Sequence, residues 1–316
     1  MKRKIIQLGS ATLVTSLPSK WVKRYDLKPG DEIDIEEEDT RLIIRTKNDF
    51  GVDKQVLDVS DLHPVATYSL LAMYIRGVDE LEVKSSDPKM LELLHRRPMP
   101  ELLGYEIVDQ GKNYMHIKDL TGIKEFDFNT MARRIFLLLK QMADDIIDVI
   151  EKGETDIPNM WSLDHSVNKF SWLCMRIINK RGIDPKKNAI IFNILTNIEE
   201  VGDYLNEFSK LVTTKNIKFS KDSVAFMKEV RNLLDAYYNL FFRFSQKDAA
   251  KFDKMYRDLA STPGGRLDKT HKLPDSKFDK LIERLGSIQE ARALFIFKQI
   301  ADLLGETARI QLIMDL

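Results

Sequence analysis

The chain has one cysteine, Cys174, among its 316 residues. A single thiol excludes a disulfide framework and any cysteine-based zinc motif within one chain, and it is typical of proteins in a reducing compartment. No uninterrupted apolar run approaches the roughly 18–20 residues of a membrane span. The short apolar stretch after Lys4 does not resemble a signal peptide. We therefore expect a cytoplasmic protein without membrane insertion.

The chain also has no net charge at neutral pH, because its 49 basic side chains balance its 49 acidic ones. Any attraction to nucleic acid must therefore be regional. Neither of the glycine patterns that bind nucleotide phosphates occurs. The G-x-S-x-G and H-E-x-x-H motifs are missing as well, and neither His165 nor His271 follows a glutamate by three positions, as di-iron oxidases require. We expect that the chain is not an enzyme.

What is present indicates a globular protein of more than one domain. The chain is 43% hydrophobic and 31% charged, and its length suits two or three domains. Changes in periodicity predict domains at residues 1–48, 51–125 and 126–316. The fold class that we predict is a multidomain chain, with a small β-rich domain, a short α/β connector and an all-α module.

The first domain is predicted as two strands, a short helix and a hairpin. The strands span residues 3–8 and 12–17, and Pro18 favours a helix start at residues 19–25. Leu27-Lys-Pro-Gly30 is a turn signal. Alternating residues 31–36 and the β-branched run 41–45 then predict a half-buried hairpin.

Residues 17–35, with the sequence LPSKWVKRYDLKPGDEIDI, resemble the SpoVT/AbrB-like swapped-hairpin DNA-binding domain. The shared features are a proline-started short helix, a Leu-x-Pro-Gly-Asp turn and an acidic strand. The resemblance implies an intertwined homodimer, in which a hairpin from each chain completes the other's barrel. It also implies that DNA is a partner.

Charge is segregated in this domain in a way that predicts a binding face. Residues 1–24 contain six cations and no acid, whereas residues 25–40 contain eight acids and one cation, Lys28. A dimer would double the cations available for phosphate contacts, and the acidic hairpin would point away from DNA. The alternative is that the cations of the helix merely face solvent. The predicted DNA-binding residues are Lys2, Arg3, Lys4, Lys20, Lys23 and Arg24.

The connector is predicted to have the order β-α-β-α-β-β. Strand patterns at 56–59, 80–83, 105–108 and 114–117 alternate with helical patterns at 64–75 and 88–94. This order fits a small sheet with helices on one face. We expect the segment to join the first domain to the third.

From Phe128 onward the apolar period is that of helices, and strand patterns cease. We predict helices at about 128–152, 162–180, 185–214, 221–245 and 287–316, with Ser220 as an N-cap. One further helix is interrupted, with pieces at 249–260 and 277–285. Short loops between six long helices predict two antiparallel three-helix bundles.

Pairs of carboxylates recur four residues apart in these helices. At that spacing two side chains share a helix face and repel one another, so they need solvent or a cation. Two pairs share an acid-x-x-Gly-acid pattern, and Gly202 and Gly305 would let a neighbouring helix approach closely. A fourth, weaker copy is Asp235 with Asn239. The candidate metal ligands are Asp144, Asp148, Glu199, Asp203, Asp302 and Glu306.

The helical half resembles the PhoU family of phosphate-uptake regulators. The resemblance is carried by NIEEVGDYLNE at residues 197–207 and DDIID at residues 144–148. It implies two three-helix repeats whose carboxylates bind multinuclear iron or zinc. Carboxylates suit hard or borderline cations. The alternative is that the acids face solvent or pair with Arg133, Arg134, Arg176 and Arg309.

Together these patterns favour a homodimeric, DNA-binding regulator of phosphate uptake and metabolism. Its PhoU-like half would sense a metal, phosphate or protein signal. The alternative is a PhoU-type adaptor that binds a phosphate-transporter ATPase or a sensor kinase and uses its first domain only to dimerise. A third interpretation is metal storage.

Overall fold

The computed structural model describes residues 2–38, 41–46, 52–122, 126–260 and 276–315. It divides into two compact units, Met1–Gln55 and Val56–Leu316. The boundary falls a few residues beyond the end that the sequence predicts for the first domain. The connector and the helical half together form the second unit.

The first unit contains two separate hairpins and one short helix. Strand β1 (Ile6–Leu8) pairs antiparallel with β2 (Thr12–Val14), and helix α1 spans Ser19–Arg24. Strand β3 (Ile33–Glu38) pairs antiparallel with β4 (Arg41–Thr46). The predicted order is confirmed, although β1 and β2 are shorter than the sequence indicates. Part of the acidic turn predicted at 37–40 lies outside the described residues.

The first unit has no buried hydrophobic side chain among its described residues. Seven of its large apolar side chains are more than half exposed: Ile5 70%, Ile6 58%, Leu8 64%, Leu13 67%, Ile35 59%, Leu42 67% and Val52 54%. An isolated two-stranded hairpin is at best marginally stable in water. The described residues of this unit therefore form no hydrophobic core by themselves.

The connector is a four-stranded sheet with helices on one face. Its elements are β5 (Lys54–Asp58), α2 (Ala66–Arg76), β6 (Glu80–Lys84), α3 (Pro88–Arg96), a 3-10 turn (Met99–Glu101), β7 (Tyr105–Gln110) and β8 (Tyr114–Asp119). The strand order is β5-β6-β8-β7. The β-α-β-α-β-β prediction is confirmed, and α2 ends before Gly77, whose φ of 98° favours glycine.

One face of this sheet is apolar and the other is charged. Leu81, Val83, Met115 and Ile117 pack with α2 and α3 in a core of their own. The opposite face carries cross-strand ion pairs, including Lys118 with Glu80 at 3.4 Å. The alternation of apolar and charged residues along the strands thus determines which face of the sheet the helices cover.

The helical half contains seven helices among the described residues. They are α4 (Phe128–Glu151), α5 (Met160–Arg181), α6 (Asn188–Lys215), α7 (Lys221–Phe242), α8 (Gln246–Leu259), α9 (Lys277–Ile282) and α10 (Ile288–Asp315). Ser220 caps α7 as predicted, with its hydroxyl accepting from the Ser223 amide. The interruption predicted around Pro263 and Pro274 lies outside the described residues.

The two predicted groups of helices share one hydrophobic core. Helices α4, α5 and α6 pack together, and α7 packs with α8, α9 and α10. However, α6 also packs along α10, and α4 along α7, so that one cluster of buried side chains runs through both groups. None of the described helices is long and apolar enough to cross a membrane.

The connector is fixed to α5 by a fully buried arginine. Arg176 donates to the carbonyl oxygens of Tyr74 at 2.6 Å and Val78 at 2.8 Å, and to Asp119 Oδ2 at 2.8 Å. Lys180 pairs with Asp79, and Asn179 donates to the Ile75 carbonyl. Because α2 ends at Arg76, these donors occupy the carbonyl-rich end of that helix.

Candidate DNA-binding face and acidic helix pairs

All six predicted DNA-binding residues are exposed. Three precede β1 and three lie on α1. The Arg3 guanidinium donates to Ser16 Oγ at 3.2 Å, and the Thr15 hydroxyl donates to the Lys4 carbonyl at 3.5 Å. Within the described part of the chain, none of the six forms an ion pair with a carboxylate, so their charges are available to an anionic partner.

The turn after α1 shows why its residues occur in that order. Gly30 has a φ of 100°, which favours glycine, and the Asp31 carboxylate accepts from the Lys28 amide at 2.6 Å. Lys28 also lies 3.6 Å from Asp26. Lys28, the only cation in the sequence of residues 25–40, therefore lies beside an acid of the same segment.

The acids of α4 and α7 are neutralised by cations of the chain itself. Arg231 donates to both Asp144 oxygens, at 2.7 and 3.0 Å, and also contacts Asp235. Lys140 lies 2.5 Å from Asp235 and over the Tyr238 ring. The Arg231 guanidinium therefore offsets the repulsion between Asp144 and Asp235. Asp148, the second acid of the α4 pair, is exposed and has no ion-pair partner among the described residues.

In α10 a lysine has the same role. Lys298 lies 2.5 Å from Asp302, which also accepts from the Tyr256 hydroxyl at 3.2 Å. Glu306 is exposed. A Cβ on Gly305 would lie 2.7 Å from the Tyr256 ring, so the predicted close approach is confirmed here.

The pair on α6 has a different environment, because a third carboxylate faces it from α5. Burial, followed by the charges of Asp203 and Asp164, raises the pKa of Glu199 to about 8. Burial and the charge of Asp203 raise the pKa of Asp164 to about 6. Partial desolvation and the charge of Glu200 also raise the pKa of Asp203, although its side chain is exposed. The pKa values at this position are therefore raised, and the positive charge of Lys210 offsets only part of the effect on Asp164 and Asp203.

Close packing brings these carboxylates together. A Cβ on Gly202 would lie 3.1 Å from Val167 Cγ1 and 3.5 Å from Asp164 Oδ1, which confirms the predicted approach of a neighbouring helix. Asn206 donates to Asp164 Oδ2 at 2.7 Å. The Asp164 Oδ1 and Asn206 Oδ1 atoms are buried without a hydrogen-bond partner.

The three predicted acid pairs lie on three different helices, α4, α6 and α10. The described residues contain no group of three or more His, Cys, Asp or Glu side chains that could hold a metal ion. Two of the pairs already bind a guanidinium or an ammonium group. The iron or zinc implied by the resemblance stays a prediction.

Of the four arginines named as alternative partners of these acids, three contact other groups. Arg176 contacts the connector, Arg133 donates to the Tyr238 hydroxyl, and Arg309 lies over the Tyr256 ring. The spacing rule does find the pairs of Arg231 with Asp235 and of Lys298 with Asp302, whereas only packing brings Arg231 to Asp144. Asp164 carries no such signal, because only tertiary packing places it beside α6.

The fold and charge of the first unit define a small β-rich domain with a cationic, exposed segment. Comparison with family models finds a match to MazE, described as an antidote-toxin recognition protein and bacterial antitoxin, over residues 6–51. This supports a MazE/AbrB-like domain in the first unit, and it is consistent with a DNA-binding regulator. Comparisons of the chain with curated proteins and with solved structures find no significant match.

Proposed function

We propose that this protein is a homodimeric DNA-binding regulator of phosphate uptake and metabolism. The observation that carries the DNA-binding role is the set of six exposed, unpaired cations in and beside the MazE-like domain. Cations free of carboxylate partners can release the counterions of DNA phosphates, which favours binding. Contacts to the DNA phosphates would position the dimer whatever the base sequence. Arg3, which donates a hydrogen bond to Ser16, is our candidate for contacts to the bases.

The exposed apolar side chains of the first unit support dimerisation. Leu8, Leu13, Ile35 and Leu42 are exposed in the single chain, and a second copy would supply apolar surface to cover them. Leu13→Glu would place a charge at that contact. Leu137→Glu is the matched control, because Leu137 is also exposed but lies on α4. Light scattering should show a monomer only for the Leu13 variant.

Salt-dependent duplex binding tests the DNA-binding role. The double variant Arg3→Ala with Lys4→Ala removes four cations from a dimer, and each lost phosphate contact lowers the log–log salt slope by about 0.9. We expect a slope reduced by about 2 units from the two Lys4 side chains, and by about 3–4 units if the Arg3 side chains contact phosphate rather than bases. The control is Lys251→Ala with Lys254→Ala, which removes the same charge from the exposed surface of α8.

Two results would contradict this role. One is the absence of salt-sensitive binding to any genomic duplex. The other is an equal loss of affinity in the α8 control, which would indicate a general charge effect. A genome-wide DNA capture at high and low phosphate then tests the regulatory role, because phosphate-linked promoters should be enriched.

For the helical half we propose the reception of a phosphate-linked signal or of a protein partner. The support is the PhoU-like pattern at residues 197–207 together with the packing of α5 against α6 around Gly202. The α6 carboxylates are the candidate site, since no cation of the described chain pairs with them. A signal that altered their charge would change the α5–α6 contact, and α5 holds the connector through Arg176.

The second candidate function is a PhoU-type adaptor for a phosphate-transporter ATPase or a sensor kinase. The observation that favours it is the helical half itself, which is larger than the DNA-binding domain. Retrieval of the purified ATPase or kinase by this protein, with no duplex binding at low salt, would favour the adaptor over the regulator.

A further inference from the structure

A groove runs along the free edge of the connector sheet. Strand β7 lies at the end of the order β5-β6-β8-β7 and pairs only with β8 among the described residues. A cavity of about 530 Å³ is lined by all of residues 105–110 and by His95, Met99 and Pro100. An adjoining cavity of about 410 Å³ shares His95 and Gln110 and extends along α3. Both volumes are in the range of ligand sites.

The backbone of β7 is oriented to accept another strand. The Leu120 amide donates to the Gly104 carbonyl at 2.8 Å, and the Gly111 amide donates to the Tyr114 carbonyl at 2.9 Å. In an antiparallel pair the residues that bond to the neighbour alternate with those that point away. The alternation directs the amides of Ile107 and Gln110 away from β8. An edge of this kind is a template for strand addition.

The groove has an apolar floor. Leu91, Met99 and Leu102 are buried beneath it, and Ile107 is half-buried. Val108 lies at the shift in register between Ile107 and Asp109 and is 45% exposed. An added strand could place every second side chain on this apolar surface.

The charge at the open rim is negative. Strand β7 carries two exposed carboxylates, Glu106 and Asp109, and no cation. Asp109 lies 3.6 Å from His116 and accepts from the Tyr114 hydroxyl, and Lys118, opposite Glu106 on β8, pairs with Glu80. The opposite wall is nearly neutral, because Glu92 is paired with Arg96 at 2.6 Å. Lys112 lies at the hairpin end of the groove. Charge complementarity therefore favours an occupant with Lys or Arg side chains along β7.

We propose that this groove binds an extended segment of a partner protein, in which apolar residues alternate with Lys or Arg, as an added strand on β7. The main chain of the segment bonds to the β7 edge, its apolar residues lie on the floor, and its cations face Glu106 and Asp109. None of the residues of this groove is among the six predicted DNA-binding residues, so the failure of this proposal would leave the DNA-binding role intact.

Fluorescence anisotropy with the full-length protein tests the proposal. The probe is a labelled short peptide that alternates valine with lysine, compared with one that alternates valine with glutamate. Val108→Lys should weaken binding of the lysine peptide by at least about tenfold, because the new cation repels the lysines of the peptide and replaces an apolar contact. Val56→Lys is the matched control, because Val56 is a similarly exposed valine (58%) on the other edge strand, β5. It should change affinity by less than about twofold.

A second variant tests the proposal independently, in case Val108→Lys does not fold. Glu106→Gln keeps the shape of the rim but removes one negative charge, and it should weaken binding of the lysine peptide by about threefold. Hydrogen exchange should show slower exchange of the β7 amides when the peptide is bound. Equal binding of the two peptides, an equal effect of Val56→Lys, or protection away from β7 would each overturn the proposal, as would no binding at millimolar peptide.

Discussion

Replacement of Arg176 by methionine should destabilise the second unit severely. The side chain is 0% exposed and donates to two backbone carbonyls and to Asp119, whose side chain is 4% exposed. Methionine fills similar space, so the loss comes from the groups left without a partner rather than from a cavity. Removing one member of a buried ion pair costs about 3–5 kcal/mol. For a unit of this size each kcal/mol lowers Tm by about 2–4 °C.

The measurement is urea unfolding followed by circular dichroism, with the midpoint compared at constant slope. Arg134→Met is the control, because Arg134 is exposed on α4, and it should change the free energy of unfolding by less than about 0.5 kcal/mol. The double variant Arg176→Met with Asp119→Leu should recover at least about 1 kcal/mol, since both buried charges are then gone. A loss in Arg176→Met no greater than in Arg134→Met would refute the reasoning.

Three further predictions follow from the helical half. Gly305→Ala should lower stability by about 1–3 kcal/mol in thermal unfolding, because the new Cβ would meet the Tyr256 ring at 2.7 Å, whereas Gly286→Ala, with no atom within 4 Å, should not. Glu199 has a folded pKa of about 8 against an ordinary 4.5; the folded state therefore binds the extra proton, and stability falls as pH rises through this window. Glu199→Gln should flatten that fall and gain at least about 1 kcal/mol at pH 8 in urea unfolding; an unchanged pH profile would contradict the assignment. Elemental analysis of the purified protein checks the predicted iron or zinc, and less than about one ion per chain would reject both metal binding and metal storage.

The sequence by itself determined the order and type of the elements. Alternating residues predict β6 and β8, the 3.6-residue period predicts the long helices, and Ser220 marks the start of α7. These signals are local, because the side-chain period of a strand or helix and its capping residues can be read from a few neighbouring residues. The cationic segment of the first domain is likewise visible in the chain, and the MazE family match falls on the same domain.

The environments of Asp144 and Glu199 were decided only by the tertiary structure. Asp144, Glu199 and Asp302 stand in similar local patterns, yet the first binds Arg231, the third binds Lys298, and Glu199 faces Asp164 instead. The spacing shows that two carboxylates share a helix face and that Lys298 can pair with Asp302, but Arg231 and Asp164 reach the other acids from different helices. The pKa and the ligand of a carboxylate depend on those two quantities.

The groove on β7 and the buried Arg176 also belong to the tertiary structure. Both depend on which strand lies at the sheet edge and on which helix covers the end of α2, and strand order is not contained in the period of any one segment. The sequence therefore determined which elements form and where the charges lie along the chain. Packing decided which charges are neutralised, which are protonated and which remain open to a partner.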